Sequence, residues 1–77
     1  MTKSEIIGRN IKWLREVRGY LQEKLAELIG YHFSQKQISR YERGEVKRLN
    51  YDFIKLIETV FEIEDLEDEK ICQNVER

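Results

Sequence analysis

The chain has 77 residues and a formal net charge of −1, with 38% charged and 40% hydrophobic residues. A chain of this length forms one domain with a modest core. It holds no signal-peptide pattern and no apolar run near the roughly 18 residues of a membrane span. Cys72 is the only cysteine, which excludes an internal disulfide and a cysteine-rich zinc site. We expect a single cytoplasmic domain over residues 1–77, without cofactor, metal ion, catalytic residues or membrane contact.

Charge is distributed unevenly along the chain. Residues 1–55 hold 12 Lys or Arg against 7 Asp or Glu, whereas residues 56–77 hold 2 against 8. Because phosphates respond to the local potential within a Debye length of roughly 8 Å, the net charge does not argue against nucleic-acid binding. The acidic end has no histidine and no ligand spacing for a metal or an acid–base site, which favours a solvated surface.

The absence of proline and the abundance of Leu, Ile, Glu, Lys and Arg indicate helices joined by short turns. A first helix is predicted from a cap at Thr2 or Ser4 to about Arg18, and Gly19 ends it. Its apolar face comprises Ile6, Ile7, Ile11, Leu14 and Val17. Trp13 lies beside this face, where packing at the edge of the core is favoured over an exposed partner site.

A second and a third helix follow after short connections. The second opens at Gln22, stops at Gly30 and buries Leu25, Ala26, Leu28 and Ile29. Ser34 is a good N-cap for the third helix, which Gly44 ends. On this helix Ile38, Tyr41 and Glu42 face inward, whereas Lys36, Arg40 and Arg43 face outward.

The turn between these helices holds Tyr31, His32 and Phe33. Covering of the core by the two aromatic rings is favoured over their insertion into DNA. His32 is interpreted as a residue without a specific role, with a phosphate or base contact as the alternative.

The rest of the chain predicts a fourth helix and a short, frayed fifth one. Asn50 caps the fourth helix, whose apolar residues are Tyr51, Phe53, Ile54, Ile57, Val60 and Phe61. From Glu64 onward only Leu66, Ile71 and Val75 are scattered among acidic residues, so we expect an acidic helix or tail over about 64–77.

Many spaced positions together resemble the Cro and phage-repressor type of helix-turn-helix domain, also called lambda-repressor-like. The resemblance covers about residues 5–66, and its most diagnostic part is Ile38 to Gly44, ISRYERG. The matching positions are Ile11, Leu14, Arg15, Gly19, Gln22, Leu25, Ala26 and Ile38 to Gly44. The resemblance implies an all-α, compact five-helix fold in which the second helix crosses the DNA backbone and the third enters the major groove.

The resemblance also implies roles for individual residues. Base contacts are expected from Gln35, Lys36, Ser39 and Arg40, whose donors suit guanine and adenine edges. Phosphate contacts are expected at Gln22, where the start of the second helix presents its backbone N–H groups. Further phosphate contacts are expected from Arg43, Lys47 and Arg48, which position the protein without reading sequence. Arg15 and Glu42 match a buried ion pair that orients the third helix.

Three positions depart from the family pattern. From Ala26 to Ile38 the chain takes 12 steps where the family usually takes 10, so two extra residues either rotate the third helix or bulge into solvent. Leu21 stands where a capping Ser or Thr is common, which costs the second helix roughly 0.5–2 kcal/mol. Leu49 replaces the usual proline before the fourth helix.

The resulting hypothesis is a sequence-specific transcriptional regulator, a repressor that binds double-stranded palindromic operator DNA as a homodimer. Dimerisation is expected because two half-sites about 34 Å apart multiply the specificity of one short helix. The dimer surface is expected around Ile63, Leu66, Ile71 and Val75. The alternative is an antitoxin-like module that docks a partner protein through Trp13 and the acidic end. An enzyme is not expected, because no constellation of nucleophile, base and orienting group is present.

Overall fold

A computed structural model describes residues 1–73, all of whose regular secondary structure is helical. The helices are α1 (Lys3–Val17), α2 (Gln22–Leu28), α3 (Gln35–Glu42), α4 (Tyr51–Phe61) and α5 (Lys70–Gln73). The predicted all-α, five-helix fold is therefore confirmed. No helix in the described part of the chain is long and apolar enough to span a bilayer.

Side-chain caps begin three of the helices. Thr2, one of the two caps left open by the sequence, accepts a hydrogen bond from the N–H of Glu5, and the Glu5 carboxylate accepts one from the N–H of Thr2. Ser34 and Gln37 form the same reciprocal capping box at α3. Asn50 accepts hydrogen bonds from the N–H groups of Asp52 and Phe53 at α4. Each cap satisfies backbone donors that have no partner within the helix.

One contiguous core forms from all the long helices. Its buried hydrophobic residues are Ile7, Ile11, Leu14, Leu25, Ala26, Ile29, Ile38, Tyr41, Phe53, Ile54, Ile57, Phe61 and Leu66. Three residues that were predicted to belong to apolar helix faces are not buried: Val17, Leu28 and Tyr51 are 54%, 39% and 50% exposed. All three are terminal helical residues, where the neighbouring helices no longer cover the side chain. Trp13 packs partly buried against the core edge, as predicted.

The C-terminal segment is attached to α1 through Asn10, a fully buried polar residue that the sequence did not single out. Its Nδ2 donates to the carbonyl oxygens of Leu66 and Asp68, at 2.7 and 2.9 Å, and its Oδ1 accepts from the N–H of Cys72 at 3.1 Å. These bonds hold irregular backbone before α5, so the helix expected from Glu64 starts only at Lys70.

Leu66 does not lie on the surface where the sequence placed it. Its side chain is fully buried in the core of the same chain, because the Asn10 contact folds the segment inward. The backbone N–H of Leu66 also donates to the Glu58 carboxylate at 2.9 Å. Leu66 is therefore removed from the expected dimer surface. Val75, also expected there, lies outside the described residues.

Helix α1 uses two nearly opposite sides to bind the rest of the chain. At about 100° per residue, Gly8 and Asn10 point about 160° apart. The Gly8 side meets the end of α3, where a Cβ on Gly8 would lie 2.1 Å from the carbonyl oxygen of Tyr41. The Asn10 side meets the acidic C-terminal segment, to which Lys3 adds an ion pair with Glu67 at 3.7 Å. Helix α1 thus lies between α3 and the acidic segment.

We predict that Asn10→Ala lowers the free energy of unfolding by about 2–4 kcal/mol, because it leaves buried backbone groups without partners. Urea unfolding followed by circular dichroism measures the loss. The control is Asn50→Ala, which removes only an exposed cap and is expected to cost about 1 kcal/mol. A loss for Asn10→Ala no larger than that of the control contradicts the anchoring role.

Candidate nucleic-acid interface

The two additional residues between α2 and α3 lie in the turn. Gly30 and Tyr31 both adopt left-handed backbone conformations, with φ of 77° and 59°, and their N–H groups bond back to Glu27 and Ala26 of α2. Tyr31 is 70% exposed, so the prediction that it covers the core was wrong. Phe33 does pack inward, edge-on to Phe53 at 5.1 Å. The extra residues thus bulge into solvent at Tyr31.

The inward end of α3 is held by a cluster centred on the Glu42 carboxylate, which is 4% exposed. It accepts two hydrogen bonds from Arg15, from Nε at 2.7 Å and Nη2 at 3.0 Å. A third comes from Nε2 of Gln22 at 3.0 Å. Arg15 Nη1 donates to the carbonyl oxygen of Tyr20 at 2.7 Å. The structure thus brings Arg15 and Glu42 together as expected, and the carboxylate hydrogen bonds raise the pKa of Arg15 above its ordinary value.

Gln22 therefore directs its side-chain amide inward, toward Glu42, rather than outward. Leu21 caps α2 without any side-chain hydrogen bond and is 71% exposed. The first backbone N–H groups of α2 have no partner within the helix, and no cap side chain covers them. Any phosphate contact at Gln22 accordingly uses the backbone N–H groups, with the side chain holding their position.

The outward side of α3 carries the residues expected to contact bases. Gln35, Lys36 and Arg40 are exposed and Ser39 is partly exposed, within an arc of about 140° at about 100° per residue. Ile38 and Tyr41 are buried on the other side. This surface presents amide, ammonium, hydroxyl and guanidinium groups together, and such groups form hydrogen bonds to base edges in a major groove.

The loop between α3 and α4 carries Lys47 and Arg48 and is fixed at both ends. Ser4 Oγ donates to the carbonyl oxygen of Val46 at 2.5 Å, and the Asn50 N–H donates to the Tyr41 hydroxyl at 2.9 Å. The Tyr41 ring stacks on Phe53, with centroids 4.2 Å apart. A shallow groove between α3 and this loop is bordered by Arg40, Lys47 and Arg48, among others. Sequence reasoning missed the Tyr41 and Ser4 contacts, which depend on tertiary packing.

Arg43, expected to bind phosphate, is engaged within the protein. Its Nε and Nη2 donate to the Glu45 carboxylate at 2.9 and 3.2 Å, and its Nη1 donates to Ser39 Oγ at 2.5 Å. This pairing raises the pKa of Arg43 and lowers that of Glu45. Both side chains are about half exposed, at 54% and 51%. Glu45 was not among the residues that the sequence singled out.

Other candidate residues do not join this surface. His32 is exposed and lines a shallow depression with Phe33, Asp52 and Lys55, on the side of the turn that faces α4. Among the described residues, no three or more His, Cys, Asp or Glu side chains are grouped to hold a metal ion. His32 therefore lies apart from the candidate base-contacting residues on the outward side of α3.

Two packed helices joined by a short connection, with the second presenting a cationic and polar surface, define a helix-turn-helix DNA-binding domain. The helix-turn-helix family model HTH_3 matches residues 11–67. The chain belongs to this family, in its Cro and phage-repressor type. No curated protein and no solved structure gives a significant match.

We predict that Arg15→Met costs about 3–5 kcal/mol in the free energy of unfolding, because it leaves the buried Glu42 carboxylate without its cation. The double variant Arg15→Met, Glu42→Leu is expected to recover most of that loss, since apolar replacements remove the buried charge altogether. Urea unfolding of the two variants and the wild type gives the comparison. A double variant as unstable as the single one contradicts this account of the pair.

Proposed function

We propose that the protein is a transcriptional repressor that binds a palindromic operator as a homodimer, with α3 of each subunit in the major groove of one half-site. The observation that carries this proposal is the outward surface of α3, whose polar and cationic side chains stand on a helix held in place by the Glu42 cluster. Family membership supports the DNA-binding and regulatory part. We expect the protein to act in the cytoplasm.

Base reading is assigned to four side chains near the start and middle of α3. Lys36 and Arg40 are exposed cations that suit guanine O6 and N7, and Gln35 is an exposed amide that suits adenine N6 and N7. Ser39 lies between them, and its hydroxyl pairs with a base acceptor or donor. Together these side chains reach only a few base pairs.

Phosphate binding is assigned to groups on both sides of α3. The backbone at Gln22 lies at the start of α2, and Lys47 and Arg48 lie in the loop tethered by Ser4 and Tyr41. Arg43 lies between these groups, at the end of α3. Such contacts fix the register of the helix on DNA and contribute most of the salt-dependent affinity.

Dimerisation is proposed because four base-reading side chains on one short helix give limited specificity, which a second half-site multiplies. Ile63 and Ile71 are only partly buried against the core of their own chain, so they offer apolar area to a second copy. Both lie in the acidic C-terminal part, away in sequence from the basic α3, where two copies would repel each other. Val75 is retained as a proposed member of this surface.

Selection of bound sequences from random duplex DNA tests the function directly. We predict a palindromic consensus whose half-site centres are about 34 Å, or one helical turn, apart. Sedimentation equilibrium of the complex is expected to give two chains per duplex. A consensus without two-fold symmetry contradicts the dimer, and enrichment of no sequence contradicts sequence-specific binding.

The division of roles on the interface predicts different effects for two cationic residues. Arg40→Ala is expected to cost about 1–3 kcal/mol on the selected operator and to relax specificity at one base position. Lys47→Ala is expected to weaken operator and random DNA alike, and to lower the slope of log K against log salt by about 0.9. The control is Lys12→Ala, which removes the same charge from an exposed position on α1. Fluorescence anisotropy over a salt series measures all three, and equal effects of Arg40→Ala and Lys47→Ala on both DNAs contradict the role assignment.

A further inference from the structure

The side chains of Ser39, Arg43 and Glu45 at the end of α3 are bonded to one another, which DNA binding alone does not explain. Every nitrogen of the Arg43 guanidinium donates within the protein: Nε and Nη2 to Glu45, and Nη1 to Ser39. The carboxylate is bidentate, which is the geometry in which guanidinium pairs are strongest. Arg43 is thus folded back along its own helix.

The position of Glu45 is set by the backbone that ends α3. Gly44 follows the helix with φ of 71°, and the Glu45 N–H then bonds to the carbonyl oxygen of Arg40 at 3.1 Å. This turn brings the residue directly after Gly44 back beside the last turn of the helix. Arg40, the neighbouring base reader, also lowers the pKa of Glu45 by its charge. An acid has therefore been placed among the cations assigned to DNA.

We propose that Glu45 is a specificity-determining residue that competes with DNA phosphates for Arg43 and keeps Arg43 on Ser39 until α3 is seated in a matching groove. This inference rests on the proposed function. On random DNA, where base contacts are poor, the carboxylate retains Arg43 and its charge repels the nearby phosphates. On the operator, base contacts hold the phosphate close enough to replace the carboxylate.

The exposure of the pair makes this exchange feasible. Both side chains are about half exposed, and ion pairs between exposed side chains are weak. A phosphate held by neighbouring contacts therefore displaces the carboxylate readily, whereas a loosely bound phosphate does not. The same exchange releases Ser39 Oγ from Arg43 and returns its acceptor capacity to a base.

Glu45→Gln removes the charge and keeps the shape of the side chain. We expect its affinity for random DNA to rise about fivefold, as one additional charge contact in water implies, and its salt slope on random DNA to steepen by about 0.9. Affinity for the selected operator is expected to rise less, so the ratio of operator to random binding falls. In an Arg43→Gln background, the same Glu45 change is expected to have little effect on that ratio.

The matched control is Glu27→Gln. Glu27 forms an exposed pair with Lys24 on α2, at 3.6 Å and with side chains 55% and 47% exposed, so this change frees a cation outside the proposed contacts. If Glu45→Gln raises affinity for operator and random DNA equally, the inference is overturned. It is also overturned if Glu27→Gln lowers the ratio of operator to random binding as much as Glu45→Gln does. The same holds if Glu45→Gln still lowers this ratio in the Arg43→Gln background. If the wild type selects no DNA sequence, the proposed function fails and the inference fails with it. A selected consensus combined with an unchanged ratio overturns the inference alone.

Discussion

The orientation of α3 depends on the buried Glu42 carboxylate. A carboxylate with 4% exposure is buried at low cost only when donors replace the lost water, and here the donors come from Arg15 on α1 and Gln22 on α2. The pair therefore joins three helices at one point. Because breaking a buried pair is costly, placements of α3 that separate these side chains are disfavoured. This cluster lies at the end of α3 opposite to the bulged turn.

The groups proposed to contact DNA are held by contacts within the protein. Gly8 lets α1 approach the end of α3 so closely that a Cβ would overlap the Tyr41 carbonyl oxygen, and Tyr41 in turn fixes the loop through Asn50. Ser4 fixes the same loop through Val46. Ordering of loops and side chains on binding costs affinity, so a loop tethered at both ends keeps more of its phosphate contacts as net binding free energy.

The positions of the first four helices, their side-chain caps and the inward and outward sides of α3 were predictable because they depend on short sequence spacings. The Arg15 to Glu42 contact was predictable only through the family resemblance, since the two residues are 27 positions apart. Asn10 gave no signal, because its partners lie 56 to 62 positions away and are backbone groups, which any residue type supplies. The burial of Leu66 was not predicted for the same reason. A single leucine among acidic residues suggests an exposed position, and it is the contact of its backbone with Asn10 that turns Leu66 inward. Glu45 lies after the end of α3, so the helical periodicity does not predict its position. It lies beside Arg43 because of the left-handed turn at Gly44.

The uneven charge of the sequence has a spatial counterpart. The acidic segment before α5 is bound to the Asn10 side of α1, whereas α3 is bound to the Gly8 side, about 160° around the helix at about 100° per residue. A helix with its side chains is roughly 10–12 Å across, which exceeds the Debye length of roughly 8 Å at physiological salt. The charge of this acidic segment is therefore largely screened from the outward surface of α3, and the local potential there is set mainly by the side chains nearest to α3. A chain with a net charge of −1 can in this way present a basic surface on α3, within which Glu45 is paired directly with Arg43.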